Sequence, residues 1–229
     1  MPPDKTSKPH RGLLPMEGPI ARRYAALRRS DKQMELYQRQ AGELTAGLAE
    51  GAAVLEVAPG PGYLAIEMAR PGRVRVVGLD ASRTFVELAS AAARESGVRV
   101  EFRAGDAADM PFDASAFDLV VSQAAFKNFA RPARALEEMY RVLRPGGTVI
   151  IQDMSRDASP SDIAKEVRGM GVGRFSAAVT KLILGGLRRR AYSAAQFRQL
   201  VADSSFRTCE ISAEGIGLEL KMSKPSATT

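Results

Sequence analysis

Five short apolar runs separated by helical patterns constrain this chain more than any other feature. Ala53 to Val57, Val74 to Leu79, Val98 to Phe102, Phe117 to Ser122 and Thr148 to Gln152 are almost continuously apolar, the pattern of strands buried on both faces. Between them Phe85, Leu88, Ala89 and Ala92 recur at helical spacing, as do Leu136, Met139, Tyr140 and Leu143. An alternation of this kind closes as a parallel, doubly wound α/β sheet with helices on both faces. Two further strand-like stretches, Phe206 to Ile211 and Gly217 to Lys221, lie too close together for a crossover connection and predict an antiparallel hairpin at the sheet edge. The expected sheet therefore has seven strands, six of them parallel and the last antiparallel.

Two helical patterns precede the sheet, one carried by Ile20, Tyr24 and Leu27, the other by Met34, Tyr37, Ala41, Leu44 and Leu48. Residues 1–17 read as a disordered tail with no apolar stretch of the secretory type, which points to the cytoplasm. Residues 18–229 then form one domain, since 229 residues are too few for two ordinary domains and a linker. From about 159 to 201 a helical pattern is broken at Gly169, Gly171, Gly173, Gly185 and Gly186, and reads as a hinged insertion covering a substrate.

Composition removes several chemistries. The single cysteine, Cys209, excludes intramolecular disulfides and multi-cysteine zinc sites, and reads as a small apolar packing residue. The single histidine, His10, lies in the tail, where a positioned general base is hard to build. Ser122 and Asp153, at the ends of the fourth and fifth strands, offer too few oxygens for a catalytic hard cation, so no metal is expected. The net charge of +7 is dispersed apart from Arg188 to Arg190, which argues against a nucleic-acid partner. No window reaches the roughly 18 apolar residues of a membrane span, and no membrane partner is expected.

The first strand runs into Ala58-Pro59-Gly60-Pro61-Gly62 and then a helix near Tyr63. Such a turn lets a ligand approach the backbone and leaves amide N–H groups free for an anion. Gly60, Gly62 and Ala65 also satisfy a dinucleotide fingerprint, so a nicotinamide-dependent oxidoreductase stands as an alternative. Glu56 favours a ligand with a cationic amino group and would repel a pyrophosphate. Asp80 ends the second strand where a ribose-binding carboxylate belongs in either reading. Asp106, after the third strand, can accept from an exocyclic adenine amine. Each also has a plain reading, Asp80 as the cap of a helix starting at Ser82 and Asp106 as a turn residue.

Together, Glu56-x-Ala58-x-Gly60-x-Gly62, Asp80, Gly105-Asp106 and the run Tyr140-Arg141-Val142-Leu143-Arg144-Pro145-Gly146-Gly147 resemble the class I S-adenosylmethionine-dependent methyltransferases over roughly residues 50–154. Ala58 stands where that family usually has its first glycine. The resemblance implies a Rossmann-like fold with S-adenosylmethionine as cofactor: Glu56, Ala58, Gly60 and Gly62 toward its methionine part, Asp80 and Ala81 toward the ribose, Asp106 and Ala107 toward the adenine, and Ser122 near the methyl donor. Within the superfamily, Ala125-Phe126-Lys127-Asn128-Phe129 and Ala135 to Arg141 resemble the ubiquinone/menaquinone C-methyltransferases. So does Ala21-Arg22-Arg23-Tyr24, which implies a Tyr24-bearing helix folded over the cofactor. The implied activity is methyl transfer to an oxygen, carbon or nitrogen of a small-molecule acceptor, with Ser122, Lys127 and Asn128 as polar helpers. Lys127 is equally readable as a solvated lysine, Tyr37 and Tyr192 as lid or packing residues, and a cofactor-binding enzyme that cyclises its substrate stays open.

Overall fold

The computed structural model describes residues 15–170 and 173–226, the side chains of Arg174 and Phe175 excepted. His10 and Gly171 thus lie outside the described residues, as does the expected tail up to residue 14. Two helices, α1 (Gly18–Leu27) and α2 (Asp31–Thr45), lead into β1 (Ala53–Val57), α3 (Tyr63–Ala69), β2 (Arg75–Asp80), α4 (Arg83–Glu95) and β3 (Glu101–Ala104). There follow β4 (Phe117–Gln123), a 3-10 turn at Phe126–Asn128, α5 (Pro132–Val142) and β5 (Leu143–Met154). The chain ends with α6 (Pro160–Gly169), α7 (Arg174–Arg190), α8 (Ala194–Ala202), β6 (Glu210–Glu214) and β7 (Gly217–Ser223).

The strands hydrogen-bond in the order β3-β2-β1-β4-β5-β7-β6. β1 to β5 pair in parallel, and β7 is antiparallel to both β5 and β6, so β7 alone runs against the other strands. This is the seven-stranded, Rossmann-like sheet expected from the sequence. The order reverses between β1 and β4, and the crevice outside the carboxyl ends of strands at such a switch point is where open α/β sheets hold ligands. Val54 and Leu55 of β1 are fully buried, as are Val120 and Val121 of β4, and two apolar clusters pack the opposite faces.

Local chemistry sets the helix ends. Ser82 caps α4 by accepting from Phe85 N at 3.0 Å, while Ser159 and Ser193 close reciprocal capping boxes with Asp162 and Gln196.

Four expectations are corrected. The third strand begins at Glu101 rather than Val98, because Val98 N still returns to Ala93 O at the end of α4. The sixth begins at Glu210, since Phe206 turns into the core edge-on to Tyr140 at 5.0 Å and Arg207 at φ 65° redirects the chain. α1 is helical as expected, but Ile20 and Leu27 are exposed at 69% and 71% while Ala21 and Ala25 are buried. Small side chains let α1 lie close to α4, and this close approach selects the face. Finally, the insertion at 159–201 divides: Phe197 and Val201 of α8 belong to the core, whereas α7 has no buried residue among those described.

Candidate active site

The loop after β1 passes through the left-handed region three times, at Ala58 (φ 59°), Gly60 (φ 55°) and Gly62 (φ 77°). The two glycines serve different ends. A Cβ on Gly62 would meet Phe102 Cζ at 2.6 Å and the Ala89 methyl at 2.7 Å, so Gly62 permits helix packing rather than ligand approach. At Gly60 the nearest atom to such a Cβ is Tyr24 Cε1 at 4.0 Å, which leaves that side of the loop open toward α1. Ala58 holds with its methyl group a conformation that costs an L-residue about 1–2 kcal/mol.

Glu56 is buried at the end of β1, and its Oε2 has no hydrogen-bond partner. Burial pushes its carboxyl up to about 8; the Ala65 amide works against that, and the neighbouring Asp80 adds to it. Asp80 sits beside it, accepting from Gly60 N at 2.9 Å and Ser82 N at 2.8 Å. Burial raises it to about 6 despite these two amides. The helix cap is therefore Ser82, and Asp80 joins the glycine loop to the end of β2. Each Asp80 oxygen retains acceptor capacity for a further donor.

Asp106 lies beyond β3 and is exposed, accepting from Ala108 N at 2.8 Å and pairing with Arg131 at 2.8 Å. Burial pushes its carboxyl up, but the Ala108 amide and Arg131 outweigh this and hold it below the usual value. Its loop is anchored from behind by α5: Glu138 accepts from Met110 N, and Arg141 donates to Met110 O and Phe112 O while pairing with Glu138. Arg141 holds Glu138 below the usual carboxyl value against the cost of burial. Ala81 is exposed, and Ala107 packs partly against the core.

At the end of β4, Ser122 is fully enclosed and its Oγ has no partner. Lys127 is not a solvated lysine. Its ammonium is buried against Asp153 Oδ1 at 2.7 Å and bonds Ala124 O, while its own amide donates to Asp153 Oδ2 at 3.0 Å. Asp153 thus bolts the 3-10 turn to the end of β5, and Lys127 is committed to structure. Asn128 carries a buried Oδ1 without a partner. Phe126 is surrounded by Phe129, Tyr192 and Phe197 at ring separations of 5.1, 5.8 and 5.4 Å. Tyr192 is therefore core rather than lid, its phenol pushed up to about 12 by burial and by the charge of Asp153.

The N-terminal segment is tied to the start of α4 and to α3. Glu17 accepts from Arg83 N, Thr84 N and Thr84 Oγ1 at the start of α4, and Ser82 Oγ donates to Met16 O at 2.7 Å. Tyr63 Oη donates to Ala25 O at 3.2 Å, and Tyr24 packs edge-on to Phe85. Tyr24 thereby reaches the glycine loop, while Tyr37 is buried between α2 and α3. Two surface clefts lie elsewhere, one lined by Tyr63, Glu67 and Arg70, the other by Ser90, Arg94 and Glu101. Neither includes a residue of the strand-end loops, so the ligand site is better located by its unpartnered polar atoms than by open volume.

Sequence reasoning missed Glu17, Arg131 and the Lys127–Asp153 pair. Only Glu138 and Arg141 left a local trace, opposite charges at (i, i+3) on a helix.

Residues 55–151 match the model of a methyltransferase domain. A demethylmenaquinone methyltransferase from Deinococcus radiodurans is 37% identical over 107 residues, 46% of this chain and 44% of the relative. A ubiquinone/menaquinone biosynthesis C-methyltransferase from a Geobacter species is 31% identical over 150 residues, 63% of this chain and 64% of the relative. The alignments therefore span about half to two thirds of these relatives. Among solved structures, a putative S-adenosylmethionine-dependent methyltransferase from Methanococcus maripaludis superposes with a TM-score of 0.74 at 19% identity, covering 100% of this chain and 99% of that one. At that identity the likeness establishes the fold.

Proposed function

We propose that the chain, whose residues 55–151 match a methyltransferase domain, binds S-adenosylmethionine as a class I enzyme and transfers its methyl group to a small, largely apolar acceptor. The carrying observation is Glu56, a buried carboxylate with an unpartnered oxygen at the head of a glycine loop. Burying such a group is costly without a partner, and a ligand ammonium supplies one. The same carboxylate disfavours the pyrophosphate of a nicotinamide dinucleotide.

The cofactor supplies an electrophilic methyl on a sulfonium. The chain's residues would hold it for in-line transfer to the acceptor, whose proton would leave to solvent. Glu56 and the Gly60 side of the loop orient the amino-acid end, beside Ala58. Asp80 and Ala81 take the ribose, and Asp106 with Ala107 the adenine edge, Asp106 releasing or sharing Arg131. Tyr24 covers this assembly. In-line displacement needs alignment and exclusion of water more than a strong base. Phe129 supplies the apolar wall with Phe126 packed behind it, Asn128 the free polar atom, and Lys127 with Asp153 fixes the turn that carries it. Ser122, at the end of β4, offers a second unpartnered oxygen.

The acceptor class is an isoprenoid hydroquinone or a molecule of like polarity. This rests on the similarity to the two quinone methyltransferases and on the aromatic wall. The test is incubation of the purified chain with S-adenosylmethionine and demethylmenaquinol, following S-adenosylhomocysteine and methylated quinol. Equal yields of the two support the reading. Rearrangement of an acceptor with the cofactor unconsumed would replace it with a non-methylating one.

A further inference from the structure

Arg28, just beyond α1, has a buried Nε with no hydrogen-bond partner. Its guanidinium carbon lies 5.8 Å from the ring centre of Tyr24 and 5.8 Å from that of Tyr37. Tyr24 is the residue that approaches Gly60. Burial pushes the Tyr37 phenol up, an effect that the nearby Arg28 opposes and Glu56 reinforces. Arg28 thus lies against both tyrosines, and Glu56 stands at the end of β1 before the loop that Tyr24 approaches, each with an idle buried atom. Arg28 has no carboxylate partner among the described ion pairs. Two aromatic faces hold the guanidinium in place, so little rotamer freedom remains to be lost when a planar acceptor binds.

We propose that Arg28 is the carboxylate-reading residue of the cofactor site, the opposite number of Glu56. A ligand that satisfies both must carry an ammonium and a carboxylate on neighbouring atoms, which is the amino-acid end of S-adenosylmethionine. The inference rests on the cofactor reading above and adds to it a residue outside the methyltransferase domain proper. It also gives α1 a chemical reason to close: the helix carries the cation that recognises the ligand it covers.

The test compares two cofactor forms, S-adenosylmethionine and its decarboxylated derivative, which keeps the amine and loses the carboxylate. Binding is read by calorimetry, without any acceptor. The wild type is expected to prefer the carboxylated form by roughly tenfold or more, the worth of a charge-assisted hydrogen bond. Arg28→Met should abolish that preference by weakening the carboxylated form alone, and Arg28→Lys, which keeps the charge and loses the planar fork, should give an intermediate ratio. Glu56→Gln should weaken both forms equally, since both carry the amine. A preference that survives in Arg28→Met, or a loss equal for both forms, overturns the assignment while leaving the cofactor reading standing. A wild type that binds neither form overturns both. Should Arg28→Met fail to fold, the ratio in Arg28→Lys decides: an undiminished preference overturns the assignment.

Discussion

The ends of β1, β2, β4 and β5 and the helix α7 break opposite rules of burial. At the strand ends, Glu56, Asp80, Lys127 and Asp153 are charged groups held inside the protein. On α7, Leu182 and Ile183 are apolar side chains left outside, at 79% and 56% exposure. Each arrangement costs free energy in isolation, and the two costs are handled differently. Lys127 and Asp153 settle theirs internally by pairing with each other and with backbone groups. Glu56 Oε2 and the apolar ridge of α7 have no such partners among the described residues. A compensated departure marks scaffolding, whereas an uncompensated one marks a surface that meets something else.

The sharpest way to break this distinction is to remove one partner of the compensated pair. Asp153→Ala leaves a buried ammonium and the Lys127 amide without their acceptor. The expected loss is about 3–5 kcal/mol, seen as a lower denaturation midpoint at unchanged slope. A loss under about 1 kcal/mol would mean that Lys127 simply swings out to solvent.

The uncompensated carboxylate should respond in the opposite sense. Glu56 has a folded-state value of about 8 against an ordinary 4.5. A raised carboxyl contributes stability that is fully present below pH 4.5 and declines as pH rises through about 8, because only the folded state keeps the proton. Glu56→Gln should therefore stabilise the unliganded chain at pH 8 by on the order of 2 kcal/mol and flatten its pH profile over that range. It should also weaken the cofactor. In the wild type a ligand ammonium favours the ionised carboxylate, so binding should release protons near pH 7, detectable as a buffer-dependent heat. An unchanged pH profile in the variant would remove Glu56 as the titrating group.

The same contrast explains what the sequence disclosed. β1 is legible to the residue, because a buried parallel strand and the glycine loop behind it are local patterns. Glu56 and Asp80 are legible because their chemistry is written at a strand end. The Lys127–Asp153 bolt is not, since its partners are 26 residues apart and meet only when β4 and β5 align. The buried face of α1 is misread for a related reason: its apolar periodicity favours Ile20 and Leu27, yet close contact with α4 favours the smaller Ala21 and Ala25. Arg28 shows no motif at all, and its position between two tyrosines is a product of the fold.

Ala58 offers a smaller sharpening of the comparison, because its strain sits inside the compensated scaffold. Ala58→Gly relieves the left-handed conformation at φ 59° but frees the unfolded chain. The balance should be a gain of about 0.5–1 kcal/mol, with cofactor affinity altered by less than about threefold. A larger loss of affinity would show that the methyl group itself shapes the loop against the ligand.

The smallest expected effect on stability belongs to α7, and it tests the other half of the contrast. Leu182→Ser removes an exposed side chain from a helix with no buried residue among those described, so the midpoint should move by no more than about 0.5 kcal/mol. If the ridge of Val179, Leu182 and Ile183 is exposed because the acceptor covers it, the same change should reduce turnover. Burying a leucine against an apolar acceptor is worth about 1.5 kcal/mol or more, which converts to a fall of roughly tenfold in kcat/KM. Cofactor affinity should be unchanged, since the charged groups proposed to read the cofactor lie just beyond α1 and at the strand ends. Loss of stability together with turnover would mean that α7 packs into the domain more tightly than its exposure shows. Unchanged stability, affinity and turnover would place the acceptor against Phe126 and Phe129 alone and leave the ridge outside the reaction.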